Sequence, residues 1–194
     1  ELALGSGLAV RVKNTFSAHP GTLVADLSRY APVGVATAVS HAAGVARVVV
    51  RLESVEGSAD HMEAQTRVYC AMADAGISLD MFTPCCSTLV FTIAESQRSL
   101  AEMVLEGLGH RFDVMPGLAK VTLVGAGMHG VPGVMARMAM SLTVAGVHVL
   151  QAADSHTPIS VLIPAAMVGP AVGALHEEFG LAVPEPLDGH GDAV

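Results

Sequence analysis

The sequence repeats itself at a spacing of 70 residues, and this repeat limits the folds that the chain can adopt. Ala145-Gly146 lies 70 residues after Ala75-Gly76, and in both places the pair ends an apolar helical pattern. The other residues that keep this spacing are Leu89, Phe91 and Ile93 with Ile159, Val161 and Ile163, and His61, Gln65, Val68 and Met72 with Val131, Met135, Met138 and Leu142. The 4-3-4 spacing of the second set marks one face of a helix. The chain therefore contains a duplicated unit, and we expect two small domains.

Each copy is predicted to begin with a strand, a helix, two strands and a second helix. The first copy ends in a short strand near Phe112 to Met115, and Pro116-Gly117 closes it, which completes a β-α-β-β-α-β pattern. The second copy lacks a convincing last strand, and the alternating residues Val33 to Val39 can supply one. We therefore expect an α+β fold of two ferredoxin-like units, the first inserted in the second, with antiparallel sheets and helices on one face.

Composition excludes several classes of function. The net charge is −8, and the ten Lys and Arg residues are spread along 194 positions, so a nucleic-acid surface is not expected. The hydrophobic fraction is 52%, but Arg137, Pro164 and Gly169 interrupt the apolar runs before the roughly 18 residues that a membrane span needs. Three cysteines without metal-ligand spacing and the lack of a signal-peptide pattern favour the cytoplasm. The missing initial Met suggests a fragment or a processed product.

A glycine-rich loop from Gly125 to Gly133 joins the first strand of the second copy to its helix, and three interpretations of it are open. Its G-x-G-x-x-G pattern occurs in dinucleotide-binding folds, but a direct turn between the next two strands at Asp154 to Pro158 does not fit their parallel crossovers. The loop can instead hold an anion such as the carboxylate of an amino acid, because glycine allows close approach and the amides of a first helical turn lack partners. It can also be only a tight turn.

Histidines near this loop do not predict a metal centre. His129, His148 and His156 flank the loop, but their spacing matches no standard zinc pattern. The contiguous run Asp154-Ser155-His156 contains the residue types of a catalytic triad, yet neighbours on one turn cannot converge as a triad requires. We therefore expect no metal, no cofactor and no hydrolytic site in this chain.

Several segments resemble the regulatory region of aspartokinases. VTLVGAGMHGVPGVMARM, AGVHVLQAADSH and ALHEEFGL are similar to the last ACT domain of that family, and GVATAVSHAAGVARVVV resembles the lead-in to the first ACT domain. LAVRVKNTFSAHPGTLV is similar to the segment that joins the kinase domain to the regulatory part. The resemblance extends from about Leu8 to Leu181.

The resemblance implies a regulatory segment in which tandem ACT domains bind an end-product amino acid and thereby inhibit phosphorylation of aspartate. The expected divisions are 1-32 as a remnant of the kinase-domain end with a linker, 33-44 as the strand that completes the second ACT domain, 45-117 as the first ACT domain, 118-181 as the second, and 182-194 as a disordered tail. The chain alone would not be an enzyme, and ATP and Mg would bind only to a kinase domain that it lacks. Its partners would be the effector, a second copy through the ACT domains, and an aspartokinase catalytic domain or subunit.

The first loop departs from the family pattern, and this shapes the expected site. It reads SVEGSADHMEAQ, without the usual Pro-Gly, and Phe82-Thr83-Pro84 replaces a common Gln-Asn pair. Together with the QAADSH turn, these features resemble the diaminopimelate-sensitive branch, so the expected effector is meso-diaminopimelate, followed by lysine and threonine. The expected effector site consists of Met128, His129, Gly130, Val131, Pro132, Gly133, Val134, Gln151, Asp154 and Ser155, faced by Asp60, Asp80 and Thr83. A ligand-free ACT-type dimerisation module is the alternative.

Overall fold

The structure is a computed structural model that describes residues 8–24, 35–53, 57–85, 87–125, 128, 131–155 and 158–181. The strands are β1 (Val10–Val12), β2 (Thr22–Val24), β3 (Ala38–Arg51), β4 (Asp80–Cys85), β5 (Thr88–Ala94), β6 (Arg111–Val124), β7 (Gln151–Asp154) and β8 (Pro158–Pro164). The helices are α1 (Ala59–Asp74), α2 (Arg98–Leu108), α3 (Val134–Val144) and α4 (Val168–Glu178). Single 3₁₀ turns at Glu95–Gln97 and Ala165–Met167 lead into α2 and α4. The predicted tail 182–194 lies outside the described residues.

Six strands form one antiparallel sheet in the order β4-β5-β3-β6-β8-β7. The long central strands β3 and β6 are shared between the two halves of this sheet. Within the described part of the chain, residues 38–43 of β3 pair only with β6, at 119–124, whereas residues 45–51 pair with β5 on their other side. We name residues 45–115 the first lobe, and residues 38–43 with 118–181 the second lobe. Each lobe is a four-stranded ferredoxin-like unit, and the predicted fold class, with the first unit inserted in the second, is confirmed.

Pro116 and Gly117, which the sequence predicted to close the first unit, lie within β6, and this strand continues through both residues into the second lobe. Pairing between β3 and β6 shifts between Ala43 and Val45 and again before Arg47, where Met115 is the next partner. Gly117 and its counterpart Gly44 both have positive φ, at 73° and 71°. Glycine adopts this conformation without steric cost, and a bulge of this kind bends a strand without ending it.

Each lobe buries one face of its sheet beneath its two helices. The two cores are separate clusters, and equivalent positions fill them with apolar side chains. The matched pairs are Val48 with Val121, Met72 with Leu142, Phe91 with Val161, Ala101 with Ala171, and Leu105 with Leu175. Burying an aliphatic or aromatic side chain of this kind contributes about 1.5–3 kcal/mol, so these layers account for the helical and strand periodicity of the sequence.

The opposite face of the sheet carries a third, smaller core that joins the lobes. It consists of Met81 from β4, Leu118 from β6 and Leu162 from β8, with Leu150 and Ala153 packed beside them. Strands β4 and β7 are the two outer strands of the sheet, yet they contact each other. The sheet therefore curls so that its outer strands meet.

The two lobes differ at the start of their first helices. The Ser58 hydroxyl caps α1 by accepting a hydrogen bond from the His61 amide at 3.1 Å, so α1 begins at Ala59. Helix α3 begins at Val134, and since 59 + 70 = 129, its start lies five residues later in the repeat. Val131 therefore precedes the helix instead of belonging to its apolar face. Both helices end alike, because Gly76 and its counterpart in the second lobe adopt positive φ.

The segment before the lobes forms a separate hairpin. Val10–Val12 pairs with Thr22–Val24 in a two-stranded antiparallel sheet whose residues are all exposed. Within the described residues, no helix is long and apolar enough to cross a membrane.

Candidate functional site

A small cavity lies in the second lobe between the start of α3 and the end of β7. Its volume is about 170 Å³. The residues that line it are Met128, Val131, Gly133, Val134, Met135, Asp154, Ser155 and Ile159. Pockets for drug-sized ligands have volumes of about 300–1,000 Å³, so this cavity suits a smaller molecule.

Local structure explains how the loop presents main-chain donors to this cavity. Gly133 is the N-cap of α3 with φ at 90°, a conformation that glycine permits, and its carbonyl accepts from the Arg137 amide at 2.9 Å. Among the described residues, no side chain caps this helix. The amides of the first turn, which have no partner within a helix, therefore remain available to an anion at the positive end of the helix dipole.

The opposite wall supplies a carboxylate, which can accept hydrogen bonds from a positively charged group. Asp154 is the last residue of β7, and its neighbour Ser155 donates its amide to the Pro158 carbonyl at 3.0 Å. Both side chains are exposed, so the carboxylate and the hydroxyl can reach a ligand. Main-chain donors on one side and a carboxylate on the other fit a zwitterion that carries both a carboxylate and an ammonium group.

The structure brings together a large part of the predicted effector site. Six predicted residues line the cavity, namely Met128, Val131, Gly133, Val134, Asp154 and Ser155. Pro132 lies in the same exposed turn, while His129 and Gly130 lie outside the described residues. Met135 and Ile159 also line the cavity and were not predicted as site residues. Both belong to the repeated apolar patterns, which indicate core positions. These patterns gave no sign that the two residues also line a cavity.

Gln151, Asp80 and Thr83 lie at the junction of the lobes and do not line this cavity. The Gln151 side-chain amide donates to the Met81 carbonyl and approaches the Thr83 hydroxyl at 3.4 Å. Asp60, in the first turn of α1, is exposed and also lies off the cavity wall. The role of these three first-lobe residues in effector binding stays a prediction.

Two further polar contacts join the two lobes at this junction. Lys120 of β6 forms an ion pair with Asp80, and Arg47 of β3 donates to the Leu150 carbonyl at 3.3 Å. Burial alone would raise the pKa of Asp80, but hydrogen bonds from Lys120 and from the Met81 amide, with the charge of Lys120, outweigh it and lower that pKa. The junction thus holds charged groups between the two lobes.

The equivalent position in the first lobe is built differently. His61 corresponds to Val131, since 61 + 70 = 131, and it is buried in the first turns of α1. Its ring contacts the Gln65 side chain, with 2.9 Å between the two nitrogen atoms. The longer helix therefore occupies the place where the second lobe has its loop, and its side-chain cap from Ser58 uses a first-turn amide.

The dinucleotide interpretation of the glycine loop has no support in this geometry. The pairings of the described sheet are antiparallel, whereas the dinucleotide motif belongs to a parallel crossover. A Cβ on Gly125 would come within 2.3 Å of the Val35 carbonyl oxygen, so this glycine serves the packing of the chain against itself. Within the described residues, no group of three or more His, Cys, Asp or Glu side chains could hold a metal ion.

Comparison with known proteins agrees with this architecture. A family model described as an ACT domain matches residues 113–177. Aspartokinase 1 of Bacillus subtilis (strain 168) is 38% identical over 183 residues, which are 94% of this chain and 45% of that protein. The chain therefore spans about half the length of the curated relatives that it matches.

Solved structures show the same relationship. The ligand-free regulatory subunit of aspartate kinase from Thermus thermophilus superposes with a TM-score of 0.66 at 27% identity, over 75% of this chain and 99% of that chain. Clostridium acetobutylicum aspartate kinase gives a TM-score of 0.78 over 91% of this chain and 42% of that chain, and at 16% identity it shows the fold alone. By sequence and by fold, the chain thus carries an ACT domain and resembles the regulatory region of aspartokinases, which confirms the resemblance that its motifs indicated.

Proposed function

We propose that this chain is the regulatory part of an aspartokinase and that a small end-product amino acid binds in the second lobe between α3 and β7. The observation that carries the proposal is the 170 Å³ cavity, which has an uncapped helix start on one wall and Asp154 on the other. The α-carboxylate of the effector would accept from the first-turn amides of α3, and its α-ammonium group would donate to Asp154.

The proposed effector is meso-diaminopimelate, with lysine and threonine as the next choices. All three carry the α-ammonium and α-carboxylate groups that the cavity walls can bind, and they differ in the part that would extend beyond the cavity. The order rests on the likeness of the QAADSH turn and the altered first loop to the diaminopimelate-sensitive branch.

The effector would inhibit a catalytic domain or subunit that binds aspartate, ATP and Mg. We place this complex in the cytoplasm. An effector shifts an equilibrium between two arrangements only as far as its affinities for them differ. The junction between the lobes is the element that would change, because Gln151, Asp80 and Lys120 join β7, β4 and β6 there. We propose that the regulatory chain acts as a homodimer through its ACT domains.

Calorimetric titration of the chain with meso-diaminopimelate, lysine and threonine tests the effector site. Asp154→Asn should weaken binding by about tenfold to a hundredfold, because a charge-assisted hydrogen bond contributes about 1.5–3 kcal/mol. Asp74→Asn is the matched control, since Asp74 is an exposed carboxylate at the end of α1 in the other lobe. The absence of heat with all three amino acids, or equal losses in both variants, would reject the proposed site.

A ligand-free dimerisation module is the second candidate, and one observation favours it. In the first lobe, α1 begins five residues earlier in the repeat and replaces the loop that would bind an effector. A chain that forms dimers but binds none of the three amino acids in calorimetry would support this candidate.

A further inference from the structure

Met81, near the start of β4, has an uncommon backbone conformation. Among the described residues it is the one residue other than glycine with a positive φ, at 45°. A residue with a Cβ is crowded in this left-handed region, so it keeps the conformation only where its surroundings hold it there. The contacts around Met81 therefore decide whether β4 keeps this shape.

The positive φ of Met81 accompanies an extra residue in β4. Asp80 lies opposite Thr92 of β5, but the next paired residue, Thr83, lies opposite Val90. Strand β4 thus advances by three residues where β5 advances by two, which is a β-bulge. The bulge separates the start of β4 from the rest of the strand, which pairs with β5 in a regular register.

The second lobe has the equivalent strands without a bulge. Gln151 and Leu162 are the counterparts of Met81 and Thr92 at the 70-residue spacing, and they pair directly. The described pairs of β7 with β8 contain no register shift. The same structural unit can therefore be built with the bulge or without it, so the fold itself does not require the bulge.

The contacts that hold the bulge reach across the junction from the second lobe. The Gln151 side-chain amide donates to the Met81 carbonyl. The Asp80 carboxylate accepts from the Met81 amide at 2.8 Å and is itself paired with Lys120. The Met81 side chain is 6% exposed and packs against second-lobe residues in the third core. The bulge therefore depends on the contact between β4 and β7.

We propose that Met81 is a backbone switch between two registers of β4. When β4 and β7 are in contact, Gln151 and Lys120 hold Met81 at positive φ, and the strand is bulged. When these contacts break, Met81 returns to the extended conformation and pairs with Thr92, in the register that the second lobe shows. This shift of one residue turns Asp80 to the opposite face of the sheet, away from Lys120, so the two registers exclude each other.

The switch would respond to the effector cavity through β7, and this step rests on the proposed function. Strand β7 has four residues. Gln151 at its start holds Met81, and Asp154 at its end lines the cavity. A ligand bound to Asp154 would fix the position of β7 and thereby favour the bulged register. Binding in the second lobe would thus change the face of the first lobe to which Asp80 belongs.

Nuclear magnetic resonance of the full chain without effector distinguishes the two registers. Thr92 has cross-strand proton contacts with Asp80 in the bulged register and with Met81 in the regular one, and relaxation dispersion measures the minor register. Gln151→Ala should raise the ratio of regular to bulged register by about tenfold, because the Met81 carbonyl loses its partner. Gln97→Ala is the matched control, since Gln97 donates to a main-chain carbonyl within the first lobe, and it should leave the ratio unchanged.

Glycine and alanine at position 81 separate the backbone effect from the loss of the side chain. Both substitutions remove the Met81 side chain, but only glycine adopts a positive φ without steric cost. Added to Gln151→Ala, Met81→Gly should restore the bulged register and Met81→Ala should not. Thermal unfolding followed by circular dichroism checks that each variant is folded. If Gln151→Ala does not fold, Met81→Gly and Met81→Ala alone decide, because only the alanine variant should adopt the regular register.

Three results would overturn the switch: a register that Gln151→Ala leaves unchanged, an equal change in the Gln97→Ala control, or the same register with glycine and alanine at position 81. Adding meso-diaminopimelate to Met81→Ala should return it to the bulged register. If the register follows the substitutions but calorimetry detects no binding of an amino acid, the switch stands and the effector site is rejected. If the amino acid binds without moving the register, only the coupling through β7 is rejected.

Discussion

The side-chain amide of Gln151 in the second lobe donates a hydrogen bond to the main-chain carbonyl of Met81 in the first lobe. The two residues are equivalent in the repeat, since 81 + 70 = 151, and each stands near the start of its strand. Met81 has a positive φ of 45°, which is uncommon for a residue other than glycine. Equivalent positions of the two copies therefore contact each other here. The contact joins β4 and β7, the two outer strands of the sheet.

Replacing Gln151 with Ala should lower the free energy of unfolding by about 1–3 kcal/mol, because the Met81 carbonyl would lose its partner at a partly buried position. Urea unfolding followed by circular dichroism measures the change. Gln97→Ala is the matched control, since Gln97 donates to the Gly76 carbonyl at 3.1 Å at an exposed position within one lobe. A control that loses as much stability as Gln151→Ala would contradict a special role for the junction.

The ion pair of Lys120 with Asp80 should make stability depend on pH in the acid range. The folded pKa of Asp80 is lowered, so its contribution is present above the unfolded value of about 3.9 and is lost as pH falls through the folded pKa. The Asp80 side chain is 56% exposed, which limits the contribution to at most about 1 kcal/mol.

Lys120→Met should therefore destabilise the chain more at about pH 6 than at about pH 3. Urea unfolding at both values measures the difference, and Lys120→Arg, which keeps the charge, should retain the wild-type dependence. A Lys120→Met loss that is equal at both pH values would show that Asp80 does not respond to this partner.

Gly125→Ala should destabilise the second lobe by about 1–3 kcal/mol, because the added methyl group would lie 2.3 Å from the Val35 carbonyl oxygen and 2.7 Å from the Ala36 Cα. The melting temperature reports this loss. Gly107→Ala serves as the comparison, since Gly107 lies in α2 and, among the described residues, no atom outside the adjoining helical backbone lies within 4 Å of the added group. That substitution should raise stability by about 0.5 kcal/mol through the reduced freedom of the unfolded chain. Equal effects at the two glycines would exclude the proposed close packing.

Ser58→Ala should lower the free energy of unfolding by about 1 kcal/mol, because the hydroxyl that caps α1 is lost. Ser58→Gly should lower it by only a few tenths of a kcal/mol. Chemical denaturation compares the two variants directly. If they were equally stable, the early start of α1 would not depend on this cap.

The repeat and the fold class could be predicted because both depend on local periodicity. The apolar positions from Val68 to Met72 and from Met138 to Leu142 follow helical spacing, and residues of β5 and β8 alternate as strands do. The start of α3 was harder to place, since Val131 continues the helical spacing although the chain there is a loop. Gly133, which has a positive φ, sets the start of α3. The spacing of apolar residues does not indicate this backbone conformation.

Six of the thirteen predicted site residues line one cavity, and their closeness could be predicted from the sequence for a similar reason. Residues 131–134 and 154–155 adjoin the ends of elements whose positions the repeat had fixed, so adjacency followed from topology. The contact between Gln151 and Thr83 at the junction of the lobes could not be predicted from the sequence of either copy alone. It depends on how far the sheet curls, which is set by packing between the lobes.

By itself, the sequence determined a duplicated α+β fold, the insertion of the first unit in the second, and the position of a glycine-rich loop in the second unit. These properties come from side-chain spacing and backbone preference, which act over a few residues. Only the tertiary structure decided that β3 and β6 run through both lobes and that β4 meets β7. Contacts between residues about 70 positions apart decide these features, and no local pattern encodes the packing that brings them together.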